Sequence, residues 1–385
     1  MIRLLETGAP ATFSLLRLFT FVFSLFALVI FSGCQPKEVT SAKIYMRNND
    51  WDRAIAQLQQ AVNAYPNNAE ARFLLGQAYG HRERFKEMVK ELDVSLKISN
   101  KFLQQITAER ERYWVDKYNA AIVALDKSDF EAVESHLLTA ILIDNSKQEA
   151  YKKLATTYYI TDSAEKALAI YNKLLEKDPS NVDLLSSISN IYYTSERYQE
   201  AISLLKRMLE IEPGHRDALA NLALSYDALG RQDEAAHAFE VAITANPQDV
   251  DLIFMFGEHH YKAGNFQRAI QLFEQVLVQH PEDFEATANL GNAYLSMAEY
   301  LRRELQSTIS MNPDSMAPVE IQQLKSGAIA NYKQAIPYLE KALTIEPERA
   351  NLWRNLGVAY VNSGQKKRGE EAFLKAEELL MKVSK

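Results

Sequence analysis

Three groups of side chains in this 385-residue chain are of types that react or bind. Glu258, His259 and His260 place a carboxylate beside two imidazoles, a set suited to proton transfer or metal binding. Consecutive residues on a helix point in different directions, and no His-Glu-x-x-His spacing occurs, so the pair cannot chelate as two residues one helical turn apart do. Glycine-rich phosphate loops, a serine elbow and a Cys–His pair are absent as well. The sequence therefore argues for a non-enzyme with no catalytic residues, no metal and no cofactor. Cys34 is the single cysteine, so it can form neither an internal disulfide nor a metal cage by itself. The third group is amide side chains: Asn119, Asn221, Asn289 and Asn355 in one register, with Asn190 and Asn292 in another. An amide carries a donor and an acceptor together and matches a peptide unit whatever its side chain. Asparagine inside a helix costs propensity, so its recurrence asks for a reason: backbone recognition and solvated decoration both fit.

The elements that position these groups follow from periodicity. Pro179, Pro213, Pro247 and Pro281 lie 34 residues apart, as do Ala167, Ala201, Ala235 and Ala269. Tyr158, Tyr192, Tyr226 and Tyr294 keep the same step, with His260 at the intervening site. A repeat at this period means stacked units. Ala, Leu, Glu, Lys and Gln dominate while Gly and Pro are few, which favours helix nearly throughout. The series Ala42, Gly76, Ala121, Ala155, Ser189, Ala223, Gly257, Gly291 and Gly357 is small in every unit, as close helix packing requires. Proline then ends the second helix of most units.

A 34-residue unit of small residue, tyrosine, alanine, a second small residue and proline resembles the tetratricopeptide repeat. The resemblance implies an all-α, right-handed superhelical solenoid of about nine helix-turn-helix units over residues 34–383. The units start near residues 35, 69, 114, 148, 182, 216, 250, 284 and 350. In that family the first helices line a concave groove, and an asparagine five residues after the unit start often pairs with an extended peptide. The implied groove residues are Phe73, Tyr118, Asn119, Tyr159, Asn190, Tyr193, Asn221, Phe254, Tyr261, Asn289, Asn292 and Asn355. Tyr158, Tyr192 and His260 are expected to point into the core. Lys152, Lys153 and Arg354 lie on first helices but do not form the family's clamp for a C-terminal carboxylate.

Two irregularities interrupt the period. Residues 101–112 lack Gly and Pro and read as an upstream extension of the third unit's first helix. Residues 301–332 read as an overlong hairpin with a turn at Met311–Pro318, either a partner-specific contact or a tolerated insertion. Pro337 is expected to kink the returning helix.

The leader, residues 1–33, has the order of a secretory signal: Arg3 and Arg17, an uncharged apolar run from Leu18 to Phe31, then Ser32 and Gly33. Ile30-Phe31-Ser32-Gly33-Cys34 resembles the bacterial lipobox, which implies cleavage before Cys34 and its lipidation with palmitate-type acyl chains. An uncleaved signal anchor and a plain cleaved peptide are the alternatives. Gln35 after the cysteine implies, by the same resemblance, anchoring in the outer membrane facing the periplasm, with the inner membrane as alternative. Formal charge is −7, and −8 once Arg3, Arg17 and Glu6 leave with the leader. That balance excludes a nucleic-acid surface. The expected function is a scaffold or adaptor lipoprotein of the bacterial envelope, with other envelope proteins as partners and the membrane held through Cys34. A polysaccharide-export accessory is the alternative, and an envelope enzyme is the third reading.

Overall fold

The computed structural model describes residues 36–311 and 317–383. Among them every regular element is helical, and Cys34 and the apolar leader lie outside the described residues. The chain forms two compact bodies, divided between Tyr171 and Asn172. The first holds α1 (Lys37–Arg47), α2 (Trp51–Ala64), α3 (Ala69–His81), α4 (Phe85–Ile98), α5 (Leu103–Asp126), α6 (Phe130–Ile143) and α7 (Gln148–Ile160). Helix α8 (Ala164–Lys177) contains the division. The second body begins with α9 (Val182–Thr194), α10 (Tyr198–Ile211), α11 (Arg216–Ala228) and α12 (Gln232–Ala245). It continues through α13 (Val250–Lys262), α14 (Phe266–Gln279), α15 (Phe284–Met311), α16 (Pro318–Ile345), α17 (Ala350–Asn362) and α18 (Lys366–Val383). Each body is a run of antiparallel helix pairs, the all-α repeat architecture the periodicity predicts.

The small-residue register sits where paired helices approach most closely. Ala42, Ala121, Ala155 and Ala223 have no exposed surface, and neither do Ala54, Ala167, Ala201, Ala235, Ala269 and Ala335 on the second helices. A methyl built on Gly257 would lie 2.7 Å from Cε1 of the fully buried Phe273. A methyl on Gly291 would meet Leu339 at 2.9 Å.

The turn between the two helices of a pair has its own register. Asn49, Glu83, Ser128, Asp162 and Glu196 adopt φ of 55–59°, and Gly230, Gly264 and Gly364 adopt 70–94° at the equivalent site. These are left-handed conformations that cost a side-chain-bearing residue about 1–2 kcal/mol, less for Asn and Asp. Three pairs add a staple across this turn. Arg84, Arg197 and Arg231 precede the second helix, each with its guanidinium over a tyrosine: Tyr79 at 4.5 Å, Tyr192 at 4.4 Å and Tyr226 at 4.7 Å. Each also pairs three residues on, with Glu87, Glu200 and Glu234.

The spacing anomalies lengthen helices. Helix α5 is 24 residues long, entered through a short 3-10 turn at Asn100–Phe102, whose Phe102 ring stacks on Phe73 at 5.0 Å. Helices α15 and α16 are 28 residues each, and α16 remains helical through Pro337. Their long contact buries Ala298, Leu305, Ala328 and Tyr332.

Candidate interaction face

In the second body, first helices of neighbouring pairs are joined by amide side chains. Asn221 on α11 donates its amide N–H to Oδ1 of Asn190 on α9 at 3.1 Å. Asn355 on α17 donates to Oδ1 of Asn292 on α15 at 2.9 Å. The two contacts occupy the same register: the residue eight past one unit's start accepts from the residue five past the next. Each pair uses one donor and one acceptor, which leaves each with a further N–H and a further carbonyl lone pair. Both pairs lie on partly exposed surface. What they can do chemically is pair with a peptide group, with the amides already oriented by one another.

Aromatic side chains flank the amides. Tyr193, one turn after Asn190, is half-buried and meets Tyr198 edge-on, ring centroids 5.4 Å apart at 70°. Burial raises its phenol pKa first, and the Tyr198 hydroxyl and the Asp227 carboxylate add to this. Phe254 is half-buried against Phe273, and Tyr261 bonds through its hydroxyl to Ser296 at 3.1 Å. Asn289 is half-buried on α15, outside either amide pair.

The first body places its candidates differently. Tyr159 and Asn119 are exposed, while Tyr118 is half-buried and stacked on Trp114 at 4.8 Å. Phe73, read from the sequence as a groove contact, is buried beneath Phe102. The inserted turn covers it, so it is unavailable as an open contact.

Both histidines of the pair pack against the ring of Phe256. His259 is the deeper of the two, 3% exposed, with Nδ1 2.8 Å from Oδ1 of Asp227 on α11. His260 is only half-buried, with its ring 4.4 Å from that of Phe256. Burial, then His259 and Arg268, lowers its pKa to about 4. Among the described residues no group of three or more His, Cys, Asp or Glu side chains converges as a metal site would require. Core-facing Tyr158 donates its hydroxyl to Glu134 at 2.7 Å, and burial together with that bond pushes its pKa up to about 12.

Sequence reasoning missed Asp227, the arginine staples and the pairing of the two asparagine series. Only the last had a signal: Asn190 to Asn221 is 31 residues, the 34-residue period less one turn. A further cleft of about 510 Å³ lies among α16, α17 and α18, floored by Leu343, Trp353, Leu356 and Ala372. Among the described residues no helix is long and apolar enough to cross a membrane.

The sequence family described as tetratricopeptide repeat matches in two versions, one over residues 192–258 and 330–379, the other over 39–98 and 254–297. No curated protein matches the chain. Among solved structures, a tetratricopeptide repeat protein from Parabacteroides merdae ATCC 43184 is similar at 18% identity, covering 70% of this chain and 93% of its own, with a TM-score of 0.48. A MamA structure from Desulfovibrio magneticus RS-1 is 20% identical over 52% of this chain and 96% of its own, with a TM-score of 0.42. YrrB, described as a TPR protein with an unusual peptide-binding site, is 17% identical over 54% of this chain and 91% of its own, also at 0.42.

Proposed function

Since the chain is a tetratricopeptide-repeat protein, we propose that it is a non-enzymatic scaffold that holds extended segments of other proteins against its first helices. The observation that carries this reading is the pair of amide contacts, Asn190–Asn221 and Asn292–Asn355, made at one register of the repeat. Each presents an unspent donor and acceptor on partly exposed surface, so a bound chain can be read through its backbone. Tyr193, Phe254 and Tyr261 add contact area at low entropic cost beside them.

The leader extends the proposal to location. Cleavage before Cys34 and acylation there would anchor the scaffold to the bacterial envelope, because several acyl chains hold where one is marginal. The residue after the cysteine, Gln35, supports the outer membrane facing the periplasm. The partners are then envelope proteins assembled near the membrane.

A photoreactive residue at Tyr193, activated in cells, tests the holding role. A discrete crosslinked partner that disappears with Asn190→Ala and Asn221→Ala together supports it. Crosslinks unchanged by that pair of substitutions, or crosslinks from residues 305–325 alone, would refute it. For the anchor, Cys34→Ala should abolish palmitate labelling and release the chain from membranes, and persistence of the label removes the lipid assignment.

A further inference from the structure

We infer that the held segment carries a lysine or arginine whose cation seats beside Asp227, against the ring of Tyr193. This rests on the reading above that an extended segment lies along α9, α11 and α13. Those three consecutive first helices contribute a row of side chains: Tyr193, in T-shaped contact with Tyr198 of the same pair, then Asp227 from α11, whose carboxylate acts on the Tyr193 phenol, then His259 from α13.

Asp227 is unusual in this row. Its carboxylate is held on one side by a buried imidazole, with Nδ1 of His259 2.8 Å from Oδ1, yet the side chain keeps 19% exposure. An ionised carboxylate accepts several hydrogen bonds at two oxygens, so one contact leaves most of its capacity open. No lysine or arginine among the described residues pairs with it. Arg231 is paired with Glu234 and Arg197 with Glu200, while Lys262, three residues after His259, is exposed and makes no ion pair with Asp227. Glu258, next to His259 on α13, is half-buried and likewise without an ion pair.

Tyr193 makes the second half of the site. The face of a phenol ring is negative, and its edge is positive. The edge-on meeting with Tyr198 fixes the orientation of the pair on the same surface as the Asn190–Asn221 contact. A partly desolvated carboxylate near a tyrosine ring attracts an ammonium or guanidinium by ion pairing and cation–π contact together. The backbone of the same segment would meet the amides of Asn190 and Asn221, and the cationic side chain would reach along α11 from Asn221 to Asp227. The amides hold any chain; Asp227 and Tyr193 select a basic one.

The test is selection of a random dodecapeptide display library on the purified full-length chain, followed by synthesis of the enriched peptides. The expected result is a shared Lys or Arg at one position. Replacing it by Gln should weaken binding about tenfold to hundredfold, the range for losing a charge-assisted contact. The same replacement should matter little against Asp227→Asn, which keeps an oxygen for His259. Tyr193→Leu should show a smaller coupling of the same sign, and it carries the test if Asp227→Asn does not fold. Peptides that bind with no basic residue in common, or a Lys→Gln loss equal on wild type and both variants, would overturn the inference and leave the peptide-holding reading standing. Absence of any enriched peptide would overturn both.

Discussion

Gly257→Ala puts the close-approach reasoning at risk, because helix propensity and packing push in opposite directions there. Alanine in a helix interior is favoured over glycine by up to about 1 kcal/mol. At Gly257 the added methyl would lie 2.7, 3.0 and 3.2 Å from Cε1, Cδ1 and Cζ of Phe273. That ring has no exposed surface and is backed by Phe254, with centroids 5.6 Å apart, so it cannot swing away. Overpacking of this kind costs about 1–3 kcal/mol. The net effect should be destabilisation by about 1 kcal/mol. Gly327→Ala is the matched control: it lies within α16, and its new methyl meets one terminal carbon of the half-buried Leu301 at 3.3 Å. There propensity wins, and stability should rise by about 0.5–1 kcal/mol. The assay is urea unfolding followed by circular dichroism, with hydrogen exchange resolved to α13 and α14, since repeat arrays need not unfold as one unit. Adding Phe273→Leu to Gly257→Ala should recover part of the loss, with a coupling of about 1 kcal/mol. If Gly257→Ala raises the midpoint as Gly327→Ala does, the close approach of α13 and α14 is not what fixes glycine at that site.

Four shorter predictions follow. His260 has a pKa near 4 against an ordinary 6.5, so between those values the unfolded chain binds more protons and stability falls as pH is lowered through that window. His260→Tyr, the residue that most other units carry there, should flatten that acid limb in pH-dependent melting, and an unchanged limb would point to other groups. Glu196→Gly should stabilise by up to about 1 kcal/mol in thermal melting by relieving a left-handed turn at φ 59°, whereas Asp162→Gly should gain less. Tyr294→Phe should lose about 1 kcal/mol, because its hydroxyl donates to Glu274 at 2.7 Å. Tyr332→Phe should be neutral or stabilising in the same assay, since that hydroxyl is buried between the long helices without a partner.

What could be read from the sequence is what repeats. Close approach demands a small residue in every unit, and burial of the second-helix alanine is equally obligatory, so both leave a 34-residue trace that needs no partner to interpret. The turn register shows where that legibility fails. Left-handed backbone occurs at eight intra-unit turns among the described residues, but Gly supplies it at 230, 264 and 364 while Asn49, Glu83, Ser128, Asp162 and Glu196 tolerate it. A conformation that several residue types can adopt leaves no single-letter signature. Phe73 failed for a different reason: its position in the unit is that of a surface residue, and only the insertion after α4 brings Phe102 over it. Asp227 left no trace at all, because its partner His259 belongs to the next unit and occurs once.

The same distinction separates the parts of the candidate face. Asn190–Asn221 and Asn292–Asn355 recur at one register, which ties them to something the ligand offers repeatedly, and an extended backbone is the repeating feature of a protein chain. The Tyr193, Asp227 and His259 row occurs once in the second body, so it must answer to something the ligand offers once, namely a particular side chain. Affinity through a repeated contact and selectivity through a single one can then be varied independently. Asn221→Ala should weaken all bound peptides by similar factors, whereas Asp227→Asn should change only which peptides bind, as competition between basic and neutral peptides on the two variants would show. Equal loss for all peptides in both variants would mean that Asp227 supports the fold through His259 and selects nothing.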